Sequence, residues 1–353
     1  MDDDEIAGVQ NAPLFVRIFA PILDVFLAWG LFASLYSVNG WMYNEHFEEV
    51  IAPTLDIGIP TIVAYRAGKV LYGFRGAIFA SFVSFSLTTT LSIPGVAPAI
   101  VYALITVPFM RLIDYLMELV VNNLNVYNTF SFTISFVSKL LFVTFALFAS
   151  LFAYETGSSA FEWLVTALCD ATDVLKDAWN PLAALTLEPA KVLFANNAIN
   201  ERVFLPAGNA SETSIYYAME PNPGPGAGLL FAAFLVGPRT AKTAVPLALL
   251  LLFVGGFHEV YFPYFYMAPQ LIISLILGSA FGIIVLDASG AGLKSLPRPA
   301  SISEYVKATE GDDAWGITFS VLVSMLVSFV VSWFVLKGPL KLLKELKSFL
   351  KKK

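Results

Sequence analysis

The chain has 353 residues, of which 57% are hydrophobic and only 14% charged, and its mean hydropathy is +0.72. Soluble domains carry about 25% charged residues, so this composition calls for lipid over much of the surface rather than one aqueous-facing core. A net charge of −6 with no basic patch among aromatics argues against nucleic acid, and the single cysteine, Cys169, excludes an intrachain disulfide.

The first residues are acidic (Asp2, Asp3, Asp4, Glu5), where a cleavable signal would be basic, so the first apolar stretch is expected to remain as a span. Apolar stretches of span length follow at about 14–38, 50–64, 71–91, 97–121 and 130–152. A second set lies at about 229–236, 244–254, 271–286 and 317–336. Several of these fall short of the ~20 residues a straight crossing needs. Short segments cut by Gly and Pro predict broken or re-entrant helices around a polar site. The link at 37–49 holds Glu45, Glu48 and Glu49 without Lys or Arg, whereas 66–75 holds Arg66, Lys69 and Arg75. The positive-inside rule puts the first outside and the second in the cytoplasm, with both termini cytoplasmic. Trp29, Trp41 and Trp333 read as interfacial belt residues.

Residues 159–178 alternate apolar positions with Glu162, Asp170, Asp173, Lys176 and Asp177, the pattern of an amphipathic helix at an interface. The expected organisation is a membrane half at 1–157, an interfacial linker at 158–180, a site-bearing half at 181–337 and a basic tail at 338–353. That tail sets leucines opposite lysines, which suits either anionic inner-leaflet lipid or a simple orientation signal. The fold class is all-α and polytopic.

Three clusters carry the chemistry. Glu188 and Lys191 precede Asn196, Asn197 and Asn200, with Glu201 and Arg202 beyond. Asn196 and Asn200 share a helical face, and amides supply the donors and acceptors that a solute hydroxyl needs. The alternative is a hydrogen-bonded helix-packing layer. Glu220 and Asn222 open a stretch of three prolines and two glycines, read as unwound backbone lining a cavity or else a surface turn. Gly255-Gly256-Phe257-His258-Glu259 sets an imidazole and an acid among aromatics. It reads as acceptors for solute hydroxyls, or as a pair that satisfies its own charge. Cys169 reads as a buried thiol. His46 has no companion for a metal, phosphate-cradling glycine motifs are absent, and neither metal nor cofactor is expected.

Taken in order, EPAKVLFANNAIN (188–200), NPGPG (222–226) after Glu220, and GGFHEVYFPY (255–264) resemble the membrane (EIIC) domain of the mannitol-specific phosphotransferase permeases. Weaker similarity runs from Phe15-Val-Arg-Ile-Phe to Val327-Ser-Phe-Val-Val-Ser-Trp and so covers nearly the whole chain. The resemblance implies a homodimeric transporter of the bacterial cytoplasmic membrane, with a scaffold domain and a mobile transport domain. It implies that Glu259 and His258 meet the sugar alcohol, and it matches Asn196, Asn197 and Asn200 letter for letter. Solute would be phosphorylated on the cytoplasmic side by a phosphocysteine B domain, itself served by an A domain. Neither domain occurs in this sequence: they are separate partner proteins, as expected here, or have been cut away, or do not exist. Glu201-Arg202 stands where the family tends to show His-Gly and is expected to form a salt-bridged gate; Leu91-Ser-Ile-Pro-Gly-Val replaces the family's Gly-Ala-Asp-Met-Pro. The competing reading is a phosphorylation-independent facilitator or an ion-coupled symporter on the same scaffold.

Overall fold

The computed structural model describes residues 13–36, 41–91, 162–193, 195–208, 213–237, 239–297 and 299–338, with scattered positions between 107 and 148. Most of the stretches at 97–121 and 130–152, the Leu91-Ser-Ile-Pro-Gly-Val departure beyond Leu91, and the basic tail beyond Gly338 lie outside the described residues. Among those described, helix predominates and no strand occurs; one antiparallel bridge joins Ser214 to Leu293. The chain forms two compact units, Met1–Ile51 with Val165–Lys353, and Ala52–Leu164.

In the first unit, α1 (Leu14–Tyr36) is one of three described helices long and apolar enough to cross a membrane. A 3₁₀ turn at Ala20–Ile22 around Pro21 interrupts it. Sequence assigned α1 to the N-terminal half, yet it packs within the unit that holds the C-terminal motifs. Phe19 stacks on Tyr266 at 4.5 Å, and Trp29 meets Phe257 edge-on at 5.3 Å. Trp29 is thus a core residue rather than an interfacial one, its indole N–H directed to the Ile51 carbonyl at 3.4 Å. Trp41 is exposed as expected. α2 (Glu45–Pro53) starts on the Asn44 side chain, which accepts from the His46 and Phe47 amides.

In the second unit, a π turn (Thr54–Gly58) leads into α3 (Ile59–Leu91), whose helical path breaks at Tyr72 and at Gly73, with φ +65°. Residues eight apart on a straight helix stand about 12 Å apart. Here Gly68 and Gly76 are so close that a Cβ on either would strike the other's carbonyl. The chain therefore doubles back at the link that sequence places between the 50–64 and 71–91 stretches. Asp114 ties the bend, accepting from the Tyr72 hydroxyl at 3.0 Å and pairing with Arg75 at 2.8 Å.

Back in the first unit, α4 (residues 162–178) is amphipathic as read. It buries Cys169, Thr172 and Lys176 on one face, with Cys169 in the cluster around Leu187, Ile199 and Phe204. Short helices follow: α5 (Ala184–Val192), α6 (Asn196–Ile199) and α7 (Tyr216–Met219). Then come α8 (Gly224–Val236), α9 (Arg239–Leu250), α10 (Phe262–Met267), α11 (Ile272–Ser289), α12 (Ile302–Ala308) and α13 (Asp313–Lys337).

The scaffold of this unit is α8, α11 and α13 packed together. α13 turns an aqueous protein inside out. Ser320, Ser324, Ser328 and Ser332, one per turn, are buried, while Phe319, Leu322, Leu326 and Phe334 are exposed. Exposing side chains of this size to water forgoes roughly 1.5–3 kcal/mol each, so this face belongs in lipid. The serine face lets backbones approach, the packing mode of membrane helices. A Cβ on Gly228 of α8 would run into the Met325 carbonyl, and one on Gly282 of α11 into the Ser324 hydroxyl. Ser320 donates to the Gly282 carbonyl at 2.8 Å, Ser328 to the Pro225 carbonyl at 2.7 Å, and Ser332 to Ser274 at 2.7 Å.

Candidate functional site

The three motif clusters meet where helices stop. Pro189 sits inside α5, which ends at Val192; the Leu193 amide closes back on Pro189 and Ala190. Asn196 then opens α6, and Asn200 begins a π turn running to Phe204. Single π turns within α-helices recur at functional sites. A second π turn, Leu251–Gly255, ends on Gly256 with φ +74°, a conformation glycine adopts without strain. The chain then enters a 3₁₀ turn, His258–Tyr261, and α10 follows with Pro263 in its first turn.

At the centre lies Glu220, between α7 and α8 and almost fully buried. Asn196 donates its amide to Glu220 Oε1 at 2.8 Å, and the Asn200 side chain lies near the same carboxylate. Lys191 and His258 stand within electrostatic reach of Glu220. Lys191 itself is locked to Glu188 Oε1 at 2.8 Å, with both side chains out of solvent. Removing one member of such a pair costs about 3–5 kcal/mol, because the other is left charged and alone. Glu259, half-buried beside His258, feels the Glu220 charge, and the Tyr261 hydroxyl is within electrostatic reach of Glu188, Glu220 and Glu259.

The cluster is incompletely satisfied. Glu188 Oε2, Asn200 Oδ1 and both ring nitrogens of His258 are buried without a well-formed hydrogen bond, though the Pro221 carbonyl lies near the imidazole. A buried polar atom left in this way costs about 1–3 kcal/mol. Several in one place make a candidate site for a polar ligand. The open groups include acceptors from Glu188 and Asn200 and an imidazole that can do either, a set that suits a polyol.

Other expected site residues stand elsewhere. Asn197, one position off the Asn196–Asn200 face, is exposed. Glu201 and Arg202 are also exposed; among the described residues no ion pair joins them, and Arg202 reaches Thr166 at 3.3 Å instead, so the expected salt-bridged gate is absent. Asn222 serves the fold. Its Oδ1 accepts from the Gly224 amide at 2.8 Å, and its Nδ2 donates to Ser324 at 3.0 Å. The NPGPG stretch is correspondingly not unwound backbone from Gly224 onward but the first turn of α8, where Pro225 needs no amide proton. Gly226 is required there because a Cβ would strike the Tyr261 ring. Sequence reasoning passed over the serine ladder, legible as serine at every fourth position, and Tyr261, whose ring packing hides its polar end. Among the described residues no cluster could hold a metal ion.

No family profile and no solved structure matches the chain. Curated relatives do. The chain is 32% identical over 331 residues to the PTS system mannitol-specific EIICB component of Geobacillus stearothermophilus, covering 90% of this chain and 67% of the relative. It is 32% identical over 343 residues to the PTS system mannitol-specific EIICBA component of Pasteurella multocida, covering 93% and 52% respectively. The EIICBA component of Vibrio cholerae matches at 31% identity over 354 residues, 96% of this chain and 52% of its own length. The chain thus spans from about half to two thirds of the relatives it matches. Near-complete coverage of this chain at this identity, with the acid–amide–imidazole cluster assembled from the three motif stretches, places the chain in the family of mannitol-specific phosphotransferase system permeases.

Proposed function

We propose that this protein carries mannitol, or a closely related hexitol, across the bacterial cytoplasmic membrane and presents it for phosphorylation by a phosphocysteine B component charged by an A component. The observation that carries the reading is the set of buried, unpartnered polar atoms on Glu188, Asn200 and His258 around Glu220. Hydroxyls of a hexitol satisfy both the carboxylate acceptors and the imidazole, and Glu259 supplies a further acceptor from the half-buried side. This chain contributes binding and positioning; the phosphoryl group comes from the partner, so transferase activity exists only in company. Phosphorylation on the cytoplasmic side traps the product as an anion.

Short helices and π turns on both flanks of the cluster suit a transport unit with re-entrant hairpins that moves against a scaffold to alternate access. The unit works as a homodimer with both termini in the cytoplasm. Glu188 and Lys191 hold the cluster together rather than gate it. The test is direct. Membranes bearing this protein, mixed with a mannitol-type B component and a phosphoryl donor, should yield hexitol phosphate in strict dependence on the donor. Donor-independent uptake that follows an ion gradient would replace this reading with a symporter.

A further inference from the structure

Tyr266 lies on α10, just beyond the last motif stretch, and ties two of the three clusters together. Its hydroxyl donates to the carbonyl of Val192, the last residue of α5. The closing carbonyls of a helix have no partner within it, and this one is met from across the fold. The Tyr266 ring is buried and lies flat against Phe19 of α1, with centroids 4.5 Å apart and planes 12° apart. The side chain is thus held by α1 at its ring and by α5 at its hydroxyl. Both ends of the tie lead directly to cluster residues. Glu188 stands one helical turn before Val192, and its partner Lys191 is adjacent. On the other side, α10 follows at once on the 3₁₀ turn that carries His258 and Glu259.

No continuous helix relates Glu188 to His258, because α5 stops at Val192 and Leu193 has already left helical geometry. Their separation is set by what packs between the two stretches. A polyol is recognised at several carbons at once, so a site tells epimers apart only while its polar groups keep their spacing. We propose that Tyr266 is a positioning residue for the hexitol site: it fastens the Glu188 end of α5 to the stretch bearing His258 and Glu259, and so sets the spacing by which one hexitol epimer is preferred to another. This rests on the reading of the cluster as a hexitol site. Tyr266 does not itself touch solute, since its hydroxyl is spent on Val192 and its ring on Phe19.

The purified full chain in lipid nanodiscs is titrated with mannitol and with glucitol, its epimer at C2, and the ratio of the two Kd values is the readout. Tyr266→Phe keeps the ring against Phe19 and removes only the tie to Val192. It should weaken the better-bound epimer about 3- to 10-fold, the scale of one neutral hydrogen bond, and the other epimer less, so that the ratio moves toward one. A tyrosine that merely supports the fold would lower the unfolding temperature and the fraction of protein that binds. It would leave both Kd values of the folded fraction, and hence their ratio, unchanged. Phe19→Leu keeps the hydroxyl and loosens the ring, should shift the ratio the same way, and carries the test if Tyr266→Phe does not fold. The inference falls, while the hexitol site stands, if the wild type binds both epimers equally or if the variants leave the ratio as it was. A wild type that binds neither hexitol overturns the functional reading and this inference together.

Discussion

The serine ladder on α13 and the cluster around Glu220 are both buried polar regions within one compact unit, and they differ in bookkeeping. In the ladder every serine is engaged: Ser320, Ser328 and Ser332 donate, and Ser324 accepts from Asn222. In the cluster, Glu188, Asn200 and His258 each leave an atom without a partner. Polar groups that close on one another hold helices together; polar groups left open can still take up a solute, as proposed for this cluster. Burial alone therefore does not identify a binding site in a membrane protein.

Mutations can break or sharpen this contrast. The largest effect is expected at the one tightly closed element of the open cluster. Lys191→Ala leaves Glu188 charged and unpaired and should destabilise the protein by about 3–5 kcal/mol, read from thermal unfolding in detergent. The double change Lys191→Met with Glu188→Gln should recover much of that loss, separating stability from solute affinity. Glu259→Gln comes next. Losing a hydrogen bond to a charged acceptor costs about 1.5–3 kcal/mol, roughly a 10- to 150-fold rise in the mannitol Kd, with little change in unfolding temperature. An unchanged Kd would remove Glu259 from the site.

On the ladder the pattern should reverse. Gly228→Ala forces a methyl against the Met325 carbonyl and should cost about 1–3 kcal/mol of stability, with mannitol affinity retained. Ser328→Ala, which releases the Pro225 carbonyl, should cost only about 0.6 kcal/mol, the average for interhelical hydrogen bonds in membranes. A ladder variant that lost solute binding while keeping its stability would erase the distinction between the two regions.

Much of this was legible in the residues and some of it was not, for reasons that can be traced. Asn196, Asn200, Glu220 and His258 were recognisable because polar side chains in apolar sequence have few uses. Asn197 and Asn222 looked identical to them by that criterion. Asn197, one position along the helix from Asn196, turns to the exposed side, and Asn222 is consumed by the α8 terminus and Ser324. Trp29 resembled an interfacial residue by type, but Phe257 covers it. NPGPG looked like unwound backbone because proline and glycine cannot continue a helix; they begin one instead.

What the sequence by itself determined is the environment and the family: hydropathy demands lipid, and three ordered motifs, with relatives across nearly the whole chain, assign the permease class. What only the tertiary structure decided is which polar atoms are used up and which remain open. Hydrogen-bond satisfaction is a property of pairs distant in the chain, such as Asn196 with Glu220 or Asn222 with Ser324. No reading of local pattern can say which member finds its partner first.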